Sequence, residues 1–151
     1  MFIGSMIQKI KGFAVKIATL NGTPRGIAFG FSLGLFMSVI PTFGVGMIAA
    51  LALASVFKAN FLAAYLGTLV VNPVTGVFFY GFDYLIGSWI LGGEAGLALP
   101  RSFSELWPLL GTIGQQLYLG GLILASALSA LSYLAVFNAV RIYRKRKERR
   151  R

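Results

Sequence analysis

Ile40-Pro41-Thr42-Phe43-Gly44 and, thirty-two positions further on, Asn72-Pro73-Val74-Thr75-Gly76 decide how this chain folds. Each spells Pro-x-x-Gly inside apolar sequence. Proline lacks the backbone N–H and clashes with the preceding helical turn, and a glycine three residues on lets the chain leave helical geometry. Both stretches therefore predict breaks. They fall where the hydropathy is that of a lipid-embedded segment, and there the freed backbone groups need protein or water partners because lipid offers none.

Around the first break, residues 26–57 form an uninterrupted run of thirty-two apolar or small residues. One crossing needs about 20. Divided at Pro41, the run gives 26–40 and 44–57, each the length of a half-crossing or a short tilted helix. Gly26, Gly30, Gly34 and Ser38 recur every four residues and put a smooth stripe on the first half. Such stripes let helix backbones approach closely, which drives association where lipid removes the hydrophobic term. Ala50 and Ala54 offer a matching stripe on the second half. Lys58-Ala59-Asn60 is the next polar point, followed by 61–71, the second break, and 77–91, again too long for one helix.

Composition sets the class. Of 151 residues, 57% are apolar and 12% charged, with a mean hydropathy of +0.79, and between 26 and 82 Lys58 carries the only formal charge. That is the composition of a membrane protein, and the fold class it predicts is all-α: a small polytopic membrane helical protein with Pro/Gly-broken re-entrant segments and an N-terminal amphipathic helix. The absence of cysteine and histidine excludes disulfides, thiolate chemistry, the usual proton shuttle and the commonest transition-metal ligand, so no metal or cofactor is expected.

Three segments follow, at 1–22, 23–140 and 141–151. In the first, Phe2, Ile3, Met6, Ile7, Ile10, Phe13, Ala14, Ile17 and Leu20 share one helical face and Lys9 and Lys16 lie on the other. This pattern suits a helix lying in the headgroup layer of an anionic leaflet; the other reading packs the same face on the bundle. Lysines spread through the apolar positions argue against a secretory signal. Asn21-Gly22-Thr23-Pro24 ends the helix.

Beyond the second break, 92–108 is turn-rich, carries Glu94, Arg101 and Glu105, and is bracketed by Trp89 and Trp107 as interfacial anchors. A final helix is expected within 109–140, with 117–140 its most apolar part. The tail at 141–151 holds eight of the fourteen basic residues. The positive-inside rule puts both termini of a multi-pass chain in the cytoplasm. Lys9, Lys16, Arg141 and Arg144 are expected at anionic lipid headgroups, nucleic acid is not an expected partner, and a homo-oligomer is allowed. The preferred topology makes 26–57 a re-entrant hairpin returning to the cytoplasm at Lys58 and lets 61–91 cross outward; the alternative crosses first and places Lys58 outside.

Two motif matches lack their context. Gly30-Phe31-Ser32-Leu33-Gly34 fits G-x-S-x-G without a histidine base or a preceding strand, and Gly44-Val45-Gly46-Met47-Ile48-Ala49 fits G-x-G-x-x-A without the acidic residue further on. The chemistry-bearing set is instead polar and uncharged: Pro41, Thr42, Asn60, Thr68, Asn72, Pro73 and Thr75, with Asp83 as the one intramembrane carboxylate. Amides and hydroxyls there can satisfy the backbone groups that the prolines free, or they can face a substrate at half-helix ends that meet near mid-membrane. One aspartate cannot form an aspartyl dyad within a chain, and an enzyme is the least favoured class. A small transporter or lipid-translocating protein is the leading expectation, and a non-catalytic structural or assembly factor the alternative.

Thr23-Pro24-Arg25-Gly26-Ile27-Ala28, Gly30 through Gly34, Ile40-Pro41-Thr42-Phe43-Gly44, Lys58-Ala59-Asn60, Gly67-Thr68, Asn72-Pro73-Val74-Thr75 and Tyr84-Leu85-Ile86-Gly87 together resemble a bacterial membrane family known as a domain of unknown function (number two thousand and sixty-two). The resemblance runs over about 23–91 and implies an integral bacterial membrane protein. It carries over no catalytic residue, and Asp83 is not part of its pattern. The two broken segments are also similar in arrangement to small membrane families with re-entrant hairpins, some linked to lipid movement, a likeness of architecture alone.

Overall fold

The computed structural model of the chain describes residues 2–42, 44–92 and 103–149, with side chains at 8, 11–42, 44–92 and 110–149. The described residues form six helices and no strand: α1 Phe2–Ala18, α2 Pro24–Val39, α3 Gly46–Val56, α4 Phe61–Thr68, α5 Pro73–Leu91 and α6 Phe103–Glu148. The all-α expectation holds.

Amphipathic spacing predicts which face of α1 is buried. Ile17 is buried in a cluster with Ile27, Phe31, Ala63, Leu66 and Val140, and the Phe13 ring meets Phe31 edge-on at 6.2 Å, while Lys11 and Lys16 stay exposed. The last turns of α1 thus pack on the bundle. Gly22, at φ +126, lets the chain turn, and the Thr23 hydroxyl then accepts the Gly26 N–H at 3.0 Å with Pro24 in the first helical turn.

Pro41 ends α2 as predicted, and α3 runs back beside it. The rings of Phe29 and Phe57 meet edge-on at 6.0 Å, and the Asn60 N–H donates to the Gly26 carbonyl at 3.0 Å, so the two outer ends of the α2–α3 hairpin close on each other. A Schellman closure stops α3: the Ala59 N–H reaches the Ala54 carbonyl at 2.8 Å and the Lys58 N–H reaches Ser55 at 3.2 Å, with Lys58 left-handed at φ 52.

The glycine stripe packs against α4. A Cβ on Gly30 would collide with the Asn60 carbonyl, one on Gly34 with the Ala64 carbonyl, and one on Gly67 with the Phe31 carbonyl. Backbones meet here without side chains between them. Ala50 and Ala54, the expected matching stripe, are fully buried on α3, but the closest approach belongs to Ala64 and Gly67 on α4, where a carbonyl faces each missing methyl group.

Two boundaries differ from the sequence reading. Helix α5 starts at Pro73 and contains Gly76, instead of resuming at Val77 after a break through the glycine, because Asn72 caps it and proline at the first position needs no N–H. Helix α6 takes in Trp107 and Pro108, placed above in the turn-rich segment, and continues through the basic run, which is helical as far as Glu148. Lys, Arg and Glu are good helix formers. The expectations for Glu94 and Arg101 fall outside the described residues, as do the side chains of Glu105 and Trp107.

At 46 residues α6 is roughly 69 Å long and serves as the spine. It runs antiparallel to α2, with the Ser129 hydroxyl donating to the Ser32 carbonyl at 3.0 Å and Gly121 lying beside Pro41. It is antiparallel to α5 as well, through Asp83 with Gly120 and Gly87 with Gln116. Helices α2 and α5 therefore point the same way, and α5 continues about 12 Å past the level of Pro41.

Candidate functional site

Because the glycine seam packs α2 and α4 side by side from Asn60 onward, their far ends fall together and both proline breaks open into one place. Ser38 and Thr42 from the first break, Thr68, Asn72 and Pro73 from the second, and Tyr80 of α5 line a cavity of about 300 Å³. Four helix ends converge on it. The C-termini of α2 and α4 bring partial negative charge and the N-termini of α3 and α5 partial positive charge.

Local hydrogen bonds occupy much of the polar lining. At the second break the Asn72 Oδ1 accepts the N–H groups of Val74 at 3.0 Å and Thr75 at 3.1 Å, and the Asn72 N–H donates back to the Thr75 hydroxyl at 2.9 Å. That is a complete capping box, and the Thr75 hydroxyl also donates to the Val70 carbonyl at 2.8 Å. At the first break the Thr42 hydroxyl reaches the Met37 carbonyl, the one deprived of its partner by Pro41, only at 3.5 Å. The Ser38 hydroxyl donates to Leu35 at 2.9 Å and the Thr68 hydroxyl to Tyr65 at 2.7 Å. Each hydroxyl has one proton and spends it on a carbonyl, so what it turns to the cavity is lone pairs. The Asn72 amide and the Tyr80 hydroxyl add N–H and O–H donors to the same lining, so it can meet both donors and acceptors.

Asn60 stands apart from this set. Its Oδ1 caps α4 by accepting the Ala63 N–H at 2.8 Å, and its Nδ2 donates to the Asn21 carbonyl at 2.6 Å, holding the α1–α2 turn. The eight residues of α4, roughly 12 Å, separate it from Thr68 and the breaks. Residue type alone joined it to the constellation; the axis of α4 takes it away.

Asp83 lies behind the first break. It is 0% exposed, and neither carboxylate oxygen has a hydrogen-bond partner. A Cβ built on Gly121 would sit 3.3 Å from Oδ2 and 3.1 Å from the Pro41 Cδ, so carboxyl, proline ring and glycine share one small space. The α5–α6 crossing is equally tight, since Cβ atoms on Gly87 and Gly120 would collide with the carbonyls of Gln116 and Asp83. A charged carboxylate enclosed without a partner has nothing to offset the loss of its hydration. Tyr80 and Gln116 are not singled out by the sequence, and Gly87 enters there only within the Tyr84-Leu85-Ile86-Gly87 motif. Helical spacing relates Tyr80 and Gly87 to Asp83 at three and four residues, a signal that becomes readable once Asp83 is known to face inward.

At the opposite end of the hairpin, Arg25 and Lys58 line a second cavity of about 350 Å³ with Tyr133. Lys16 and Arg141 are exposed. Arg144 has a different employment from the headgroup contact expected of it: its Nη2 donates to the Leu20 carbonyl at 2.8 Å, tying the end of α1 to α6. The Lys9 side chain lies outside the described residues.

The described architecture is thus that of a small all-helical protein in which two proline breaks open into one cavity, where Ser38, Thr42, Thr68 and Asn72 stand among apolar residues such as Met47, Leu69 and Val71, with two helices, Pro73–Leu91 and Leu110–Glu148, long and apolar enough to cross a membrane. The chain belongs to the bacterial family described as "Uncharacterized protein conserved in bacteria (DUF2062)", whose model matches residues 8–149. That match extends on both sides of the 23–91 stretch carrying the motifs. No curated protein and no solved structure matches the chain.

Proposed function

We propose that the protein is embedded in the bacterial inner membrane and moves a small solute or a lipid headgroup past the cavity between the two proline breaks. Membrane embedding is supported by an inside-out α5: Gly76, Asp83, Gly87 and Ser88 are its buried residues, whereas Val74, Val77, Phe78, Phe82, Leu85 and Trp89 are exposed. In water such a surface is an aggregation site; in lipid it is the favourable one. Length agrees, since α2 and the part of α5 beyond Asp83 together cover roughly 36 Å against a hydrocarbon core of about 30 Å. Arg25 and Lys58 share the end of the molecule where Arg144 meets Leu20, which favours a cytoplasmic hairpin mouth under the positive-inside rule. On this reading α2–α3 is a re-entrant hairpin, both termini are cytoplasmic, and the exposed Lys16 and Arg141 meet anionic lipid.

The observation that carries transport is the convergence of both breaks on one cavity lined by Ser38, Thr42, Thr68 and Asn72. Broken helices whose ends meet around a cavity are one way membrane proteins present backbone charge to a substrate. The natural absence of cysteine makes the test direct. Single cysteines at Ser38, Thr42 and Thr68 in membrane vesicles are expected to react with a small membrane-impermeant thiol reagent, and a cysteine at Phe78 on the exposed face of α5 is expected to be protected. Uniform protection at all three cavity positions would refute the proposal.

The local hydrogen bonds at Thr68, Asn72 and Thr75 favour a second reading, in which the breaks serve compact packing alone and the protein is a structural or assembly factor. Under that reading thiol labelling at Thr42 leaves cellular function intact, while truncation of the basic end of α6 abolishes it.

A further inference from the structure

The two breaks account for the cavity between them but leave Asp83 unused. Its carboxyl is fully enclosed and has no hydrogen-bond partner on either oxygen. Beside it lie the Pro41 ring at the end of α2 and Gly121 of α6. Neither can titrate or donate a side-chain hydrogen bond to a carboxylate. On its own helix the nearest titratable groups are Tyr80, which turns into the cavity of the breaks, and Tyr84; on α6 the nearest is Tyr118, which lines a separate apolar groove with Ile40. The field at this point is unfavourable to an anion, because α2 ends here with its carbonyl dipoles and has no basic residue in its last turn. A metal cation would need several converging ligands, and among the described residues no group of three or more His, Cys, Asp or Glu side chains comes together. A proton needs only the carboxyl itself.

We propose that Asp83 is a proton-binding site, enclosed where the first break meets the α5–α6 crossing. The proton bonds to a carboxyl oxygen, and its release leaves a carboxylate while the proton passes to water. The route for exchange is the cavity of the two breaks, since Thr42 follows Pro41 and Tyr80 stands one helical turn before Asp83, and both line that cavity. Release charges the carboxyl against the end of α2, so proton occupancy and the packing of the first break are linked. The proposal goes beyond the transport reading and stands on the enclosure of the carboxyl, whatever species the cavity admits.

Asp83 is the only aspartate in the sequence, which permits a site-specific measurement on the intact chain. With aspartate labelled at the carboxyl carbon and the full-length protein in lipid bilayers, the resonance is expected at the protonated position at neutral pH and is expected to move to the carboxylate position as the pH is raised. A carboxylate resonance at neutral pH would overturn the proposal, and so would a protonated resonance that does not respond to alkaline pH. Gly121→Ala, which adds a methyl group against both Pro41 and Oδ2, is expected to shift the signal, whereas Gly111→Ala, where a Cβ meets nothing within 4 Å, leaves it in place. An unmoved signal in Gly121→Ala would place the carboxyl elsewhere. No transported species enters the measurement, so its result is independent of the thiol-labelling outcome.

Discussion

The two breaks are spelled alike and built in opposite ways. Pro41 terminates a helix, and its glycine, Gly44, takes the left-handed conformation at φ +97. Pro73 begins a helix, and its glycine, Gly76, is an ordinary buried helical residue. The preceding residue makes the difference. Asn72 offers a side-chain acceptor that captures two N–H groups and completes a capping box, whereas Ile40 has no polar side chain, and the N–H that Pro41 lacks leaves the Met37 carbonyl to a 3.5 Å contact with Thr42. The second break is therefore closed by its own sequence, and the first is held by what surrounds it: α4 along the glycine seam and α6 at Gly121. The loosely satisfied break is the one beside Asp83.

Separating the breaks altogether gives the largest expected effect. Gly34→Val would push the α2 backbone off the Ala64 carbonyl, and overpacking of that kind is expected to destabilise by about 3 kcal/mol, read as a lower thermal midpoint in detergent. Next comes the glycine pair, where the two breaks should answer with opposite signs. Gly44→Ala forces a side chain into a left-handed conformation and should lose about 1 to 2 kcal/mol. Gly76→Ala, where the nearest atoms to a new Cβ lie at 3.7 and 3.8 Å, should gain up to about 1 kcal/mol. Equal effects at the two glycines would erase the contrast. Asn72→Ala removes the capping acceptor and should cost about 1 kcal/mol, while Ile40→Ala should leave hydrogen exchange at the second break unchanged. Slower amide exchange at Val74 and Thr75 than at Gly44 and Val45 would sharpen the comparison further.

Much of this was legible beforehand because it depends on near neighbours in the chain. Proline chemistry predicts the end of α2, amphipathic spacing predicts the buried face of α1, and the four-residue glycine repeat predicts a close helix contact. The start of α5 was legible in principle too, since Asn72 and Thr75 stand in capping register, but Pro-x-x-Gly was read as one motif in both places. The basic run beyond 140 was read as a tail from its charge, although charge does not end a helix.

Other features lay in no local pattern. Asn60 and Thr68 are both small polar residues flanking α4, and the length of that helix is what sends them to opposite ends of the hairpin. From the sequence Asp83 is only a lone carboxylate in apolar surroundings; its enclosure comes from packing against Gly120 and Gly121. Local order along the chain thus settles where helices start and stop, since caps, prolines and periodicity act over four residues or fewer. Which residues share a cavity depends on the rotation and depth at which helices meet, and those come from backbone contacts between residues far apart in sequence. That is why the two breaks could be seen in the chain, and why their meeting, with a carboxyl behind one of them, could be seen only in the fold.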